Sequence, residues 1–468
     1  MSRTREPAST TSWDGHHRFL LVGVVCLVTV VALESMAIST VMPVVEDDLG
    51  DLWLYGWVFS AFYLGTLVGV VVGGRAVDRV RPIGPMMIGI AIFGAGLLVG
   101  GLAPSMAVLV LGRFLQGLGA GAVPAVSYVC VGRGFPAEMR PKVFAIMSTA
   151  WVLPSLVSPL LASLVADAVG WRWVFLGLIP VTVLVAIIGG PAVATVETPP
   201  LAEDAPDATP IGTVLLLTVG AVLLLSGLGL ELLWVGLPLA AIGIVLGLPA
   251  FRRLTPEGTL VARPRLPAAV LVRGVLTFSF FSADAFLSLS ITSVRGRSTA
   301  FAGVVLIASS ITWTIGSWVQ ARFGERSGAN RLVRAGGLLL VGGAVGMAAS
   351  LSDAVPIAVW LLASCVLGLG MGMSYTVLSV VTLAEAEPGH EGAATSALQM
   401  SDILGVSLGT GFGGVLVSLG DRLDSEEWIP LAAIYVLSAV MGGVVAALAP
   451  RLTRGRDQTA PTVVAENV

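Results

Sequence analysis

Long runs of apolar residues dominate this chain, and they constrain its fold more than any other feature. Fourteen runs are long enough to cross the roughly 30 Å hydrocarbon core of a bilayer as helices of about 20 residues. They lie at 18–43, 54–74, 83–103, 105–131, 143–168, 171–195, 211–230, 233–251, 266–293, 299–321, 333–352, 355–383, 392–418 and 428–450. Only 12% of the 468 residues are charged and 56% are hydrophobic, whereas soluble proteins carry roughly 25% charged residues. This composition excludes a soluble enzyme, a nucleic-acid-binding protein and a disordered scaffold, and it predicts an all-α membrane protein.

The runs divide into two sets of six around a central pair. The pair, 211–251, contains Glu231 as its single charge and predicts a transmembrane hairpin within a linker, 196–265; if the hairpin only lies on the membrane, twelve spans remain. We expect an N-terminal six-helix bundle at 18–195 and a C-terminal six-helix bundle at 266–450. The fourth run of each set carries alternating glycines, at 117–121 and 368–372, which suggests duplicated halves and favours a two-bundle carrier over a channel.

The basic residues predict the orientation, because cytoplasmic loops carry an excess of Lys and Arg. If the N-terminus is cytoplasmic, Arg113 alone lies within the membrane, and only four of the 26 Lys and Arg residues fall outside: Arg172, Arg295, Arg297 and Arg422. All the others, Arg273 among them, are then cytoplasmic. We therefore expect a multi-pass protein of the cell membrane with cytoplasmic tails at 1–17 and 451–468.

Four ionisable residues within the spans are candidates for proton coupling or substrate binding: Glu34, Arg113, Asp284 and Asp402. A charge inside the membrane is costly, so each of these residues needs a reason to be there. Arg113 suits a cation that faces a cavity and influences a carboxylate, with Glu34 as its natural partner; snorkelling or a purely structural ion pair is the alternative. Asp402 lies closer to the cytoplasmic mouth.

Asp284 lies in the middle of a span among aromatic residues, which suits an apolar, substrate-sized pocket containing one acid. The alternative is an aspartate that only orients helices through hydrogen bonds. The aromatic residues that we expect to line such a pocket are Trp151, Phe278, Phe280, Phe281 and Phe286.

A short loop between the second and third runs contains Gly74, Asp78 and Arg79. Gly74 would allow close helix approach, Asp78 could cap a neighbouring helix N-terminus, and Arg79 could pair with acids across the interface between the halves. Such a cluster would latch one conformation and break in another. Taken alone, the loop is equally typical of an ordinary positively charged cytoplasmic connection.

Together these patterns resemble the major facilitator superfamily. The Gly74-x-x-x-Asp78-Arg79 loop is similar to its motif between helices two and three, although Arg81-Pro82 departs from the end of that motif. The run Arg113-x-x-Gln116-Gly117 resembles the fourth-helix motif associated with proton coupling. Leu33-Glu34 followed by Pro43 resembles the first-helix motif of the fourteen-span drug:proton antiporter branch, which usually has aspartate at the position of Glu34.

The fifth run is similar to the antiporter motif Gly-Pro-x-x-Gly-Gly around Ser158-Pro159, but other residues replace its glycines. Pro154 and Pro159 would each break a backbone hydrogen bond in any case. We expect a flexible helix here.

The resemblance implies a proton-coupled antiporter that exports amphipathic drugs or related small molecules by alternating access. Protons would bind Glu34 or Asp284, Asp78 and Arg79 would stabilise the outward-open form, and the Pro159 helix would limit proton leak. The expected partners are a small-molecule substrate, protons and the lipid bilayer, with the protein acting as a monomer and without nucleic acid.

The alternatives are a carrier for a specific metabolite or lipid, a channel, or a membrane-embedded enzyme. A channel is disfavoured because no pore-loop motif repeats. An enzyme is disfavoured because the three histidines lie outside the spans and no His, Cys and carboxylate cluster has the spacing of metal ligands. We expect no cofactor and no metal.

Overall fold

The computed structural model describes residues 14–136, 139–197, 210–387 and 391–453. Long helices account for most of these residues, and we number them α1 to α14 in chain order. Their bounds are Gly15–Leu49, Tyr55–Arg79, Ile83–Gly101, Met106–Gly134, Arg140–Val169, Arg172–Ala194, Ile211–Gly229, Leu233–Leu254, Leu266–Val294, Thr299–Ser327, Ala329–Ser350, Ala358–Glu385, Glu391–Arg422 and Trp428–Leu448. Most of the two predicted tails lies outside the described residues.

Thirteen of these helices are long and apolar enough to cross a membrane, counting described residues only. Each overlaps one of the predicted runs, so the prediction of a multi-pass helical membrane protein is confirmed. The exception is α5, where the apolar stretch among residues with described side chains is shorter, Val157–Val169. Its helix nevertheless covers the whole predicted run at 143–168.

Two of the helices are interrupted. A break at Gly177 divides α6. In α9 the first α-helical segment ends at Asp284, and the chain resumes at Leu287 and finishes in the π-helical turn Ser290–Val294. Irregular backbone at membrane depth must lie within protein or line a cavity, and π-helical turns are frequent at functional sites. The break at Asp284 therefore marks a place to look for function.

The alternating glycines of α4 and α12 allow close helix packing. Gly117 and Gly121 lie against the backbone of α2, and Gly368 and Gly372 lie against the backbone of α10. A Cβ atom at any of the four would overlap a backbone atom of that neighbour. Each half thus joins its second and fourth helices in the same way, which fits the expected duplication.

The helix ends define two faces of the molecule. At the first, the Asp48 face, the Asp48 carboxylate at the end of α1 accepts hydrogen bonds from Trp171 Nε1 at 3.0 Å and Arg172 Nη1 at 2.7 Å. At the opposite one, the Arg81 face, Arg81 Nη2 donates to the Ala194 carbonyl at 2.6 Å. Successive helices therefore run in opposite directions through the first half.

Contacts between the two halves are prominent near the Asp48 face. Gly56 of α2 lies against Gly414 of α13, and Ser60 Oγ donates to the Ser407 carbonyl at 2.9 Å. The Tyr55 ring lies 5.3 Å from the ring of Phe286, measured between centroids. These contacts place the end of α9 at the Asp48 face and its beginning at the Arg81 face.

The central pair of helices, α7 and α8, packs as an antiparallel hairpin through glycines. Gly220 and Gly227 of α7 lie against Gly247 and Ala240 of α8. The hairpin rests on α2 from the first half and on α13 from the second.

Candidate functional site

Glu34 of α1 and Arg113 of α4 form a buried ion pair. Their side chains are 2% and 1% exposed, and Arg113 Nη1 donates to Glu34 Oε1. The same nitrogen donates to Gln116 Oε1 at 2.6 Å, and Arg113 Nε donates to the Val58 carbonyl at 3.1 Å. The guanidinium also lies over the Phe62 ring, 4.3 Å from its centroid. Arg113 is thus held by several groups besides Glu34.

Part of this cluster is not satisfied. Glu34 Oε2 and Gln116 Nε2 are buried, and neither has a hydrogen-bond partner among the described residues. Leaving a buried polar group without a partner costs about 1–3 kcal/mol. A proton, a water molecule or a ligand group at Glu34 Oε2 would relieve this cost.

Asp284 presents a different kind of acid at the break in α9. It is half-buried, and within the described part of the chain it makes no ion pair and no hydrogen bond. Its charge acts on the hydroxyl groups of Tyr63 and Tyr435. A carboxylate held in the membrane without a counter-charge is stabilised by a proton or by a cation.

Aromatic side chains form a cluster near Asp284. Ring centroids are separated by 6.1 Å between Tyr63 and Phe281, 5.2 Å between Phe280 and Trp313, and 5.5 Å between Trp313 and Tyr375. Tyr63 comes from α2 in the first half and the others from the second half. The charges of all four ionisable residues predicted from the sequence act on the Tyr63 hydroxyl. Tyr63 therefore lies between the halves, within electrostatic range of all four residues.

A second ion pair, between a buried arginine and a half-buried acid, lies in the other half. Arg273 Nε donates to Asp402 Oδ1 at 3.0 Å, and the Tyr375 hydroxyl donates to Asp402 Oδ2 at 2.9 Å. Arg273 Nη1 donates to the Tyr375 carbonyl at 2.6 Å, and the guanidinium carbon lies 3.0 Å from the centroid of the Tyr375 ring. Both oxygens of Asp402 are therefore satisfied.

Comparison with known proteins identifies the family. Residues 24–386 match the Major Facilitator Superfamily. The chain belongs to this superfamily. A probable multidrug-efflux transporter of Mycobacterium tuberculosis (strain ATCC 25618 / H37Rv) is 27% identical over 436 residues, which cover 89% of this chain and 91% of the relative. A multidrug transporter of Bacillus subtilis (strain 168) is 25% identical over 433 residues, or 88% and 77% of the two chains.

A solved structure has the same fold. A POT family transporter in complex with 5-aminolevulinic acid superposes with a TM-score of 0.68 at 14% identity, covering 95% of this chain and 98% of that one. This major facilitator protein is therefore a multi-pass membrane transporter and not an enzyme.

The predicted aromatic residues do not form one pocket. Phe280 and Phe281 belong to the cluster near Asp284, whereas Phe286 is fully buried against Tyr55. Phe278 lines a separate cavity beside the hairpin. The side chain of Trp151 lies outside the described residues.

The predicted gating residues are only partly visible. A Cβ atom at Gly74 would meet nothing within 4 Å, so the close helix approach is made instead by Gly73, which lies against Ala122. Arg79 is exposed, and the side chain of Asp78 lies outside the described residues. Pro154 and Pro159 are buried within α5.

Sequence reasoning placed Arg273 wrongly and missed three aromatic residues. Arg273 was assigned to the cytoplasmic side, but it is 4% exposed and lies inside α9. Its position within the run 266–293 was the available signal. Tyr63, Trp313 and Tyr375 carried no comparable signal, because aromatic residues in membrane helices most often face lipid or fill packing gaps.

Proposed function

We propose that this major facilitator protein is a proton-coupled antiporter of the cell membrane that exports amphipathic, positively charged small molecules. The observation that carries this proposal is the contrast between two acids that both act on Tyr63. Glu34 is paired with Arg113, whereas Asp284 has no partner among the described residues. The multidrug transporters among its relatives support the substrate class.

The proposed architecture has fourteen spans, with α5 included, in two six-helix bundles joined by the hairpin α7–α8. The basic residues support placing the Arg81 face and both termini in the cytoplasm. Tyr128 of α4 supports a cavity that opens toward that face. Its side chain is 44% exposed even though it lies within electrostatic range of Arg273 and Asp402 in the other half. Contacts between the halves near the Asp48 face support closure on the outside.

Competition at Asp284 would couple substrate to protons. A carboxylate that holds a proton cannot also pair with a cationic substrate, so each ligand displaces the other. A cationic amphiphile would place its charge at Asp284 and its apolar part against Phe281 and Trp313. Proton binding from outside would then release the substrate there.

Glu34 would link proton binding to the conformational change. A proton on Glu34 Oε2 weakens the attraction between Glu34 and Arg113, while Arg113 keeps its bonds to Gln116 and Val58. The contact between α1 and α4 would loosen without leaving the guanidinium unpartnered. We propose that Asp78 and Arg79 latch the outward-open form and that Pro154 and Pro159 let α5 bend.

Transport in inverted membrane vesicles tests the proposal. A proton gradient should drive uptake of a cationic dye, an uncoupler should abolish it, and Asp284→Asn should reduce it to background. Asp284→Glu should restore part of it. The matched control is Asp353→Asn, because that side chain is 94% exposed and lies in a loop.

Two results would overturn the proposal. Full dye uptake by Asp284→Asn would remove Asp284 from the substrate site. No gradient-dependent transport across a broad dye and drug panel would leave a carrier for a specific metabolite or lipid.

A further inference from the structure

Two cavities lie along the same helices at the Arg81 end of the second half. The first has a volume of 290 Å³ and lies between the hairpin and helices α9, α13 and α14, with an almost wholly apolar lining. The second has a volume of 520 Å³ and lies among the end of α8, the beginnings of α9 and α13, and the end of α12. Among the described residues, none from the first six helices lines either cavity, so both lie outside the space between the halves.

Helical spacing shows that the two cavities share one face of α13. Ala394 and Ala397 line the second cavity, which we call the polar cavity. Ser401, Leu404 and Leu408 line the first, which we call the apolar cavity. These positions recur every three or four residues, which is the spacing of one helix face. At 1.5 Å per residue they extend over roughly 20 Å, about two thirds of a hydrocarbon core roughly 30 Å thick.

The neighbouring helices repeat this arrangement. On α9, Pro267 lines the polar cavity, and Leu271 and Gly274 line the apolar one. On α8, Leu254 lines the polar cavity and Phe251, one turn earlier, lines the apolar one. Three helices thus present continuous faces to both cavities, as the walls of a single groove would.

The apolar end of the groove is open to the bilayer. Two of its lining residues on α8, Ile244 and Leu248, are 50% and 45% exposed. Because the groove lies on membrane-spanning helices, its open side faces the hydrocarbon of the bilayer.

The polar end carries both signs of charge. Arg253 and Arg265 line it together with Glu385 and Glu387. Arg265 Nε lies 3.6 Å from Glu385 Oε2, a loose pairing. Arg265 also has a φ of +74°, a strained value for a residue with a side chain, which is tolerated where the surroundings hold it in place.

We propose that this groove binds one phospholipid with a zwitterionic, primary-ammonium headgroup. Its phosphate would accept charge-assisted hydrogen bonds from Arg253 and Arg265. Its ammonium would donate to Glu385 and Glu387, which a trimethylated ammonium cannot do because it has no N–H group. One acyl chain would lie in the apolar cavity, between the hairpin and the second half. The proposal does not depend on the proposed function.

Photo-crosslinking of a lipid tests this site. The full-length protein is reconstituted in phosphatidylcholine vesicles with a trace of phosphatidylethanolamine that carries a photoreactive group on one acyl chain. Label should map to residues 271–278 and 401–408. Excess unlabelled phosphatidylethanolamine should compete, and excess phosphatidylcholine should not.

Matched variants locate the headgroup and the chain. Arg265→Gln and Arg253→Gln should each reduce labelling about tenfold, as for loss of one charge-assisted hydrogen bond. Arg252→Gln, at the neighbouring exposed position outside the cavity, should leave it unchanged. Gly247→Leu should also reduce labelling, because a Cβ atom there meets only ordinary contacts and a longer side chain would enter the groove. Its control is Gly443→Leu, where the surroundings are open.

Any of four outcomes would overturn the proposal. Equal competition by phosphatidylcholine, or labelling spread evenly over the lipid-facing helices, would indicate ordinary boundary lipid. Stronger competition by phosphatidylglycerol would indicate an anion site. If Gly247→Leu fails to fold, unchanged labelling of both arginine variants would still refute the headgroup contacts.

Discussion

The two halves each contain a buried arginine paired with an acid, and the acids differ in how completely their oxygens are hydrogen-bonded. Arg113 and Arg273 are each the eighth residue of their helices, α4 and α9, which begin on opposite faces. Arg113 with Glu34 therefore lies nearer the Asp48 face, and Arg273 with Asp402 lies nearer the Arg81 face. Two similar ion pairs thus lie at different depths in the membrane.

The difference lies in the second oxygen of each acid. Asp402 uses both oxygens, one toward Arg273 and one toward the Tyr375 hydroxyl. Glu34 uses one and leaves Oε2 buried without a partner among the described residues. A fully bonded acid stabilises one arrangement, whereas an acid with an open position can take up a proton. We infer that the first pair changes state during transport and that the second holds the second half together.

A transport assay separates the two acids. Glu34→Gln should lower proton-driven dye uptake at least about tenfold, because it removes the group that takes up the proton. A tenfold change in rate corresponds to about 1.4 kcal/mol in the activation free energy. Asp402→Asn should leave uptake per folded molecule within a few fold of the unchanged protein. Uptake is measured in inverted vesicles and normalised to the amount of folded protein. Similar losses in both variants would give Asp402 the coupling role that the sequence left open.

Removing the acid of the second pair should instead damage the fold. Asp402→Ala leaves Arg273, which is 4% exposed, without its counter-charge. Leaving a charge buried and unpaired in this way costs about 3–5 kcal/mol. Thermal unfolding of the purified protein in detergent measures the loss. Glu231→Ala, at an exposed acid that forms no ion pair with a described residue, is the control. A loss no larger than that of the control would show that Arg273 is held by its other contacts.

Membrane helices were predictable because a helix that crosses hydrocarbon requires a long apolar run. The packing of α4 and α12 was predictable for a related reason: glycines at alternating positions have few uses other than close helix approach. Glu34 and Arg113 were found because each is a charge inside an apolar run. These signals are local, so one sequence suffices to read them.

The second ion pair was not predictable in the same way. Arg273 is buried because Asp402 lies beside it, 129 residues later in the chain, and a rule that counts basic residues cannot see that partner. Phe278 and Phe281 are both apolar residues of a helix buried on most sides. Their spacing therefore cannot show which of them lines the cavity beside the hairpin and which belongs to the aromatic cluster near Asp284. Tertiary contacts decide both cases.

The hydroxyl of Tyr375 provides a smaller test. Tyr375→Phe leaves Asp402 Oδ2 without its hydrogen bond but keeps the aromatic ring against Arg273, so a loss of about 1–3 kcal/mol in unfolding free energy is expected. Tyr63→Phe is the matched variant, because no described residue forms a hydrogen bond with the Tyr63 hydroxyl. It should leave stability unchanged and lower transport several-fold. Both readouts are taken on the same preparations, and the reverse pattern would contradict the roles assigned to the two halves.

The smallest expected effect concerns Ser379, the weakest ligand of Arg273. Its Oγ accepts from Arg273 Nη1 at 3.3 Å, and that nitrogen already donates to the Tyr375 carbonyl at 2.6 Å. Ser379→Ala should therefore lower the unfolding free energy by no more than about 0.5 kcal/mol, the lower end for a hydrogen bond. Ser401→Ala is the comparison, since it removes a 2.7 Å bond to the Val270 carbonyl and should cost about 1 kcal/mol. If Ser379→Ala were as costly as Tyr375→Phe, the second pair would depend on every ligand of Arg273, and the carboxylate of Asp402 would not be its main support.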